Sequence, residues 1–191
     1  AGQMCLHVAD DGSEYAEFPG LLPELARMAD WSYSYSRQHR RGVGASLNRG
    51  IEESHKNSDY FAYFVDDWAL TRRTTLSPWV RLLRDVPEIG MLRLYPPHPD
   101  LTGTIKHYDG LWAILLDRHH YAFATRPALF HRRFVETYGL FKESVNAYEC
   151  EAEYNQRFCS QLGAEIACAM PEFFTHVGEV EMGYINPKGS S

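Results

Sequence analysis

Short apolar runs alternate with amphipathic stretches along this chain. The runs at residues 4–9 and 60–65 (MCLHVA and YFAYFV) predict buried strands, because they are short, largely apolar and end in turn-forming residues. Residues 146–162 have helical spacing and stop before Gly163, so they predict a long helix with a glycine cap. This alternation of strands and helices is typical of an α/β domain.

The rest of the pattern extends the same series. The further predicted elements are strands at residues 31–36, 89–95 and 165–170 and helices at residues 21–29, 44–54 and 78–86. Residues 111–116 and 121–125 predict a hairpin or two short strands, and residues 96–104 predict a loop rich in Pro and Gly. We expect one domain over residues 1–182 and a flexible tail over residues 183–191.

Composition narrows the class of protein. A chain of 191 residues, 45% hydrophobic and 14% aromatic, can bury its own core, which excludes a disordered, coiled-coil or collagen-like chain. The net charge of -6 argues against a broad basic surface for nucleic acid. No apolar run approaches the roughly 20 residues of a membrane span, and the first residues do not resemble a signal peptide. These features predict a soluble, cytoplasmic protein.

Two predicted strands end in paired aspartates, Asp10 with Asp11 and Asp66 with Asp67. Ligands of an open parallel α/β sheet bind beyond the carboxyl ends of its strands, so both pairs would face one crevice. Mg²⁺ and Mn²⁺ prefer carboxylate oxygens and keep positions open for diphosphate oxygens. One pair alone would favour a turn or a helix cap, whereas two pairs at strand ends favour a metal-dependent site for a nucleotide diphosphate.

Five motifs follow one another along the chain. They are DDGS at residues 10–13, HRRGVGASLNRGIEES at 39–54, YFAYFVDDWAL at 60–70, ECEAEYNQRF at 149–158 and FFTHVG at 173–178. In this order the chain resembles a family 2 glycosyltransferase with the GT-A fold. The resemblance implies a Rossmann-type, mostly parallel sheet flanked by helices. It also implies a hexosyltransferase-like enzyme that moves a sugar, with inversion, from a nucleotide-diphosphate sugar to an acceptor hydroxyl.

The resemblance assigns five residues to the donor. Asp11, with Asp10 beside it, would accept a hydrogen bond from the nucleobase, which is uracil in most members, so a UDP-sugar is expected. Arg40 and Arg41 precede the Asn-bearing helix and would lie near the diphosphate. Asp66 would contact the ribose or the sugar.

The resemblance also assigns the metal and the catalytic base. Asp67 of the DxD-like motif and His176 near the carboxyl terminus would bind Mn²⁺ or Mg²⁺. Glu151 stands six residues before Arg157, as the base of inverting members stands before an arginine. An acceptor hydroxyl has a high pKa, so a carboxylate must take its proton during attack.

Two assignments have alternatives. Glu149 and Glu153 compete with Glu151 for the role of base, because the three cannot share one helical face. Asp109 and Trp112 follow the Pro-rich loop, where such enzymes bind the acceptor, and aromatic faces suit sugar rings. The alternative for Trp112 is plain core packing.

The chain departs from the family at its start. Members carry a strand and a helix before the DDGS strand, whereas this sequence begins almost at that strand. A sheet without an inner strand leaves backbone groups unpaired, so we expect a preceding segment, another segment or a partner chain to fill the position. The departure keeps open a catalytically inactive GT-A-like scaffold within a complex. A nucleotidyltransferase would need a Gly-rich phosphate loop followed by Lys, which the sequence lacks.

Overall fold

The computed structural model describes residues 4–13, 18–29, 31–95, 101–119, 122–144 and 146–177. In chain order the elements are β1 (Cys5–Asp10), α1 (Phe18–Ala29), β2 (Ser32–Arg37), α2 (Val43–His55), β3 (Tyr60–Tyr63), β4 (Trp68–Leu70), α3 (Ser77–Asp85), β5 (Ile89–Arg93), β6 (Gly103–Tyr108), β7 (Leu111–Leu116), β8 (Ala128–His131), α4 (Arg132–Tyr138), α5 (Ala147–Ser160), β9 (Glu165–Met170) and β10 (Phe174–His176). The tail predicted at residues 183–191 and part of the predicted loop, residues 96–100, lie outside the described residues.

One predicted hairpin is wrong. The predicted strand at residues 111–116 is present, but it pairs with β6 rather than with residues 121–125. Strand β6 begins inside the predicted Pro-rich loop. Residues 122–125 form no strand, because Ala122 and Phe123 are buried as a loop across the sheet. The two-residue turn at Asp109 and Gly110 is what allows β6 and β7 to pair tightly.

The main sheet has six strands in the order β3-β8-β5-β9-β7-β6. Strands β5 and β9 are parallel, and the other four neighbouring pairs are antiparallel. The α/β class with helices on a central sheet is confirmed, but the expectation of a mostly parallel sheet is wrong for these six strands. The physical reason is connectivity: β6 and β7 form a hairpin, and β8 enters from a loop between its two antiparallel neighbours.

A second, smaller sheet carries the first aspartate pair. Strands β1 and β2 are parallel, from Cys5 opposite Ser32 to Asp10 opposite Arg37. Helix α2 packs against both β1 and β3. Within the described ranges, β1 pairs with β2 and β3 pairs with β8, each on one side only. A strand that fills a position between them stays a prediction.

Hydrophobic side chains fill both faces of the main sheet. One face is covered by α2, α4 and α5, whose buried residues join an aromatic cluster around Phe134 and Tyr154. The other face is covered by α3 through Trp79, Leu82 and Leu83. The domain is therefore layered as helices, sheet and helix, with both layers apolar. In the described part of the chain, no helix combines the length and apolarity that a membrane crossing requires.

Candidate functional site

The carboxyl ends of three strands meet at one edge of the main sheet. Strands β5 and β9 run parallel, and both β3 and β5 run antiparallel to β8, so β3, β5 and β9 end on the same side. Strand β7 is antiparallel to β9 and begins there. We call this side the carboxyl edge. Asp66 and Asp67 lie in the exposed turn that follows β3 at this edge.

Asp67 and His176 come together across the small sheet formed by β4 and β10. The Oδ2 atom of Asp67 and the Nε2 atom of His176 lie 2.9 Å apart. The backbone N–H of Val177 donates to the carbonyl of Asp67 at 2.9 Å, which ties the strand of His176 to the acidic turn. The side chains of Asp67 and His176 are 49% and 23% exposed, so a ligand from solvent can reach both.

The indole of Trp68 organises the surroundings of this pair. Trp68 lies opposite His176 in the strand register, and their ring centroids are 5.2 Å apart. The Tyr95 ring lies 5.1 Å from the indole, and the Cζ atom of Arg126 lies 5.4 Å from its centroid. We call Trp68, Tyr95, Arg126 and His176 the Trp68 cluster. Its aromatic and cation–π contacts fix the orientation of the histidine ring beside Asp67.

Glu151 lies near the start of α5 and contacts the loop that leads to Arg126. Its Oε1 atom accepts hydrogen bonds from the Thr125 N–H at 2.7 Å and the Thr125 hydroxyl at 2.5 Å. One turn later, the Asn155 side chain accepts from the Phe123 N–H and donates to the Phe123 carbonyl, both at 2.8 Å. Helix α5 therefore holds this loop in place and sets Glu151 beside the Trp68 cluster.

The competing carboxylates on α5 have other partners. Glu149 accepts a hydrogen bond from Lys142 at 3.2 Å. Glu153 forms an ion pair with Arg157, four residues later, at 2.6 Å. Of the three candidates for the base, Glu151 is the one that the helix directs toward the carboxyl edge.

Two tyrosines lie within the electrostatic field of this edge. Burial raises the pKa of Tyr63, and the negative charges of Asp67 and Glu151 raise it further. Burial also raises the pKa of Tyr95, against the opposing positive charges of Arg93 and, to a smaller extent, Arg126. Both phenols therefore stay protonated at neutral pH. The charges of Asp67 and Glu151 therefore both act on Tyr63, the last residue of β3.

The Asp11 carboxylate holds the loop that leads into α2. Its Oδ1 atom accepts from the Arg41 N–H at 2.7 Å and from the Gln38 side chain at 2.9 Å, and its Oδ2 atom accepts from the Gly42 N–H at 2.8 Å. Charge-assisted bonds of this kind are roughly twice as strong as neutral ones. Both oxygens of Asp11 thus have protein donors before any ligand arrives.

Asp10 is held in the same way. Its Oδ1 atom accepts from the N–H groups of Gly12 and Ser13 at 3.0 and 2.7 Å, and its Oδ2 atom accepts from the Tyr35 hydroxyl at 2.6 Å. Burial raises the pKa of Asp10, but the hydrogen bonds from Tyr35, Ser13 and Gly12 outweigh it and lower that pKa to about 2. Asp10 is therefore a structural anion of the turn.

An open cleft of about 370 Å³ lies beside this turn. Its lining residues are Asp11, Gly12, Ser13, Arg40 and Gly42. The Arg41 side chain instead forms an ion pair with Glu143, in the segment before α5. The structure thus brings Arg40 to the cleft of Asp11 and directs the charge of Arg41 to Glu143.

Helix α2 joins this cleft to the carboxyl edge. Gly44, in its first turn, packs so closely on the segment before α5 that a Cβ atom there would lie 2.0 Å from the Lys142 carbonyl oxygen and 3.2 Å from the Cys150 sulfur. Glycine is the residue that such a backbone contact requires. Since Cys150 directly precedes Glu151, the cleft and the candidate base are one helix contact apart.

The predicted acceptor residues lie in and just after the turn between β6 and β7. Trp112 is 51% exposed, lies opposite Met170 in the register at the carboxyl edge, and contacts His107 with ring centroids 4.7 Å apart. Asp109, in the turn between β6 and β7, lines a cleft of about 190 Å³ against α3. Trp112 and the turn of Asp109 therefore both lie at the edge of Asp67, and Asp109 lines the cleft against α3.

Asp67 and His176 offer one oxygen and one nitrogen donor for a divalent ion. Across the ranges that the structure describes, no group of three or more His, Cys, Asp or Glu side chains is arranged to hold a metal ion by itself. Two protein donors suit an ion that takes its other ligands from diphosphate and water, as Mg²⁺ characteristically does. The Asp67 oxygen suits Mn²⁺ or Mg²⁺, whereas the His176 nitrogen is a more usual ligand of transition metals than of Mg²⁺.

Comparisons with known proteins support the fold. No protein-family model matches the chain, and neither does any curated protein sequence. The chain is similar to a crystal structure of GalNAc-T7 with UDP, GalNAc and Mn2+, with a TM-score of 0.60 and 13% sequence identity. The match covers 85% of this chain and 36% of that chain, so this chain spans about a third of its length. The fold is thereby shown to be glycosyltransferase-like, of the GT-A type.

Sequence reasoning missed three residues of the site, which are Tyr95, Thr125 and Arg126. They belong to segments without a motif, and only the three-dimensional contacts bring them to Asp67 and Glu151. The sequence held one signal for them: Trp68 directly follows the acidic pair, and a large aromatic side chain packs on other rings or cations.

Proposed function

We propose that this chain is a metal-dependent glycosyltransferase. It transfers a sugar from a nucleotide-diphosphate sugar, a UDP-sugar first of all, to an acceptor hydroxyl with inversion. The observation that carries the proposal is the Asp67 and His176 pair at the carboxyl edge, together with Glu151 bound to Thr125, the residue before Arg126 of the Trp68 cluster. The fold supports it, because it is similar to that of GalNAc-T7, which was crystallised with UDP, GalNAc and Mn2+. The order of the motifs supports family 2 membership.

The nucleotide is assigned to the cleft beside Asp11. Arg40 supplies positive charge there, and the carboxylates of Asp10 and Asp11 act mainly by holding the walls of the cleft. Arg41 braces the loop through its ion pair with Glu143. This assignment differs from the expected hydrogen bond between Asp11 and the nucleobase, because both oxygens of Asp11 already accept hydrogen bonds from the protein.

The diphosphate and the sugar are assigned to the turn after β3. Asp67 and His176 would hold Mn²⁺ or Mg²⁺, an ion that neutralises the charge developing on the leaving diphosphate. Asp66, exposed in the same turn, is assigned to hydroxyl groups of the ribose or the sugar. Trp112 is assigned to the acceptor because it is exposed at the same edge.

Glu151 is assigned as the general base. The acceptor oxygen forms a bond to the anomeric carbon, its proton passes to the Glu151 carboxylate, and the bond between the anomeric carbon and the diphosphate oxygen breaks with its electron pair leaving on the diphosphate. Thr125 fixes Oε1 through two hydrogen bonds, and no described group donates to Oε2. A positioned carboxylate with one free oxygen is what this proton transfer requires.

Turnover of nucleotide sugars tests this function. A panel of UDP-sugars and GDP-sugars is incubated with Mn²⁺, with Mg²⁺ or with a chelator, and nucleotide release is measured. We expect metal-dependent release that falls by about 10²- to 10⁴-fold in Glu151→Gln, the range for a general base. Glu149→Gln on the same helix is the matched control and keeps wild-type turnover.

The outcomes separate enzyme from scaffold. Metal-dependent nucleotide binding without turnover for any donor would favour the inactive scaffold. Equal losses in Glu149→Gln and Glu151→Gln would remove the assignment of the base. Absence of both binding and turnover would contradict the proposed function.

A further inference from the structure

Arg126 contacts two aromatic rings near the candidate metal pair. Its Cζ atom lies 5.4 Å from the centroid of the Trp68 indole and 5.6 Å from that of the Tyr95 ring. Its own loop is anchored on both sides, because its N–H donates to the Ala124 carbonyl at 2.9 Å and the preceding Thr125 is bound by Glu151. The guanidinium is therefore positioned by two aromatic faces and a fixed backbone.

A second arginine shows by contrast that Arg126 faces solvent. Arg93 contacts the same Tyr95 ring at 4.3 Å, but it is 2% exposed and donates to the Ala122 carbonyl at 2.9 Å. Arg126 is exposed, and among the described residues no carboxylate lies within ion-pair distance of it. Arg93 thus serves the core, whereas Arg126 presents its charge at the carboxyl edge.

The candidate metal pair and Arg126 share one indole. The His176 ring lies 5.2 Å from the Trp68 centroid and the Arg126 guanidinium 5.4 Å from it, and His176 contacts Asp67 at 2.9 Å. The metal pair and the guanidinium therefore both lie around the Trp68 indole. The planar fork of an arginine matches two phosphate oxygens and keeps its charge at every working pH.

We propose that Arg126, in cation–π contact with Trp68, binds the diphosphate of the donor directly. This inference rests on the proposed function, and it identifies a cation that the motifs did not point to. Arg126 then supplies one positive charge to the leaving group independently of any metal ion. The other charged groups near this space are Asp66, Asp67, Glu151 and the buried Arg93, and the three carboxylates oppose an anionic ligand that the charge of Arg126 attracts.

The test is titration calorimetry on the full chain with two probes. Inorganic pyrophosphate in the presence of a chelator reports the direct contact, and UDP with Mn²⁺ reports the whole donor site. We expect Arg126→Gln to weaken both by roughly tenfold to a hundredfold, the size of a charged hydrogen bond. Arg126→Lys keeps the charge without the planar fork, so it recovers part of the affinity. Arg27→Gln, an exposed arginine of α1, makes the same change in charge and leaves both affinities unchanged.

Four results decide between the possibilities once thermal unfolding shows each variant folded. Loss of both affinities in Arg126→Gln, with partial recovery in Arg126→Lys, supports the inference. Wild-type affinities in Arg126→Gln overturn it while the proposed function stands. Pyrophosphate binding that depends on Arg126, without any binding of UDP and Mn²⁺, supports the anion contact and contradicts the proposed function. A wild-type chain that binds neither probe overturns both.

Discussion

The two aspartate pairs look alike in sequence and differ in what surrounds their oxygens. In the turn of Asp10 and Asp11, each of the four carboxylate oxygens accepts at least one hydrogen bond from the protein. In the turn of Asp66 and Asp67, both side chains are exposed, and the described partner is His176 on Oδ2 of Asp67. The first pair stabilises its loop through hydrogen bonds, and the second exposes its carboxylates to solvent.

The difference shows how a strand end divides its acidic residues between structure and ligand. Carboxylates that accept backbone N–H groups lower the energy of a turn, and they lose the lone pairs that a cation would use. Carboxylates left toward solvent keep those lone pairs and give little to stability. The two turns should therefore respond to substitution in opposite ways, one through folding and the other through ligand binding.

The largest effect is expected for Asp67→Asn. The amide keeps the shape of the side chain and removes the charge beside His176, so Mn²⁺-dependent nucleotide release should fall by at least about a hundredfold, the upper range for groups that only support a metal ligand. The melting temperature without ligand should stay the same, because Asp67 is exposed. Turnover assays and thermal unfolding measure the two quantities. A variant with wild-type, metal-dependent turnover would show that Asp67 is not a ligand.

The next effect is expected for Asp11→Ala, which removes the acceptor of the Arg41 and Gly42 N–H groups. Unpaired donors of this kind cost about 1–3 kcal/mol, so the free energy of unfolding should fall by about 2 kcal/mol. Urea denaturation measures the loss. Asp66→Ala is the matched control from the other turn and should change stability by less than about 0.5 kcal/mol. Equal losses in both variants would break the contrast between the turns.

The smallest effect is expected for Tyr35→Phe, measured as stability against pH. The Tyr35 hydroxyl bonds Asp10 at 2.6 Å and helps to lower the pKa of Asp10 to about 2, below the ordinary value near 4. A lowered carboxyl pKa gives stability above the unfolded pKa that is lost as the pH falls toward the folded one. The variant should therefore be less stable than the wild type above about pH 4, and the difference should shrink toward pH 2.

Tyr33→Phe is the control for that experiment, since Tyr33 is exposed on the same strand. It should follow the wild-type curve at every pH. A pH-independent gap between Tyr35→Phe and the wild type would show that the hydroxyl does not act through Asp10.

The sequence predicted the elements that carry their own pattern. The strand before Asp66, the long helix of Glu151 and the strand Glu165–Met170 are continuous enough for apolar periodicity to mark them. Strands β4 and β10 have three residues each, too few for any period, and they place His176 beside Asp67. The relative direction of the strands could not be predicted either, because the pairing of distant segments depends on tertiary packing that the local pattern does not contain.

The residues of the candidate site also differ in whether a local sequence pattern identifies them. Residues within motifs, such as Asp67 and Glu151, could be named from the sequence, whereas Arg126 required the fold to bring its loop onto Trp68. The role of Asp11 was visible only in the structure, since a turn and a ligand site share the letters DDGS. Sequence alone identifies which groups are available, and the hydrogen bonds decide which of them are still free.

Gly44 fixes how closely two parts of the candidate site approach each other. Where α2 meets the segment before α5, the Gly44 backbone packs on the Lys142 carbonyl and the Cys150 sulfur, so the helix carrying the cleft of Asp11 lies directly on the segment that leads to Glu151. The reach from the cleft of Asp11 to Glu151 is thereby set mainly by backbone, the least adjustable part of a protein. Substitutions elsewhere on the two helices can accumulate without changing that reach, provided position 44 remains glycine.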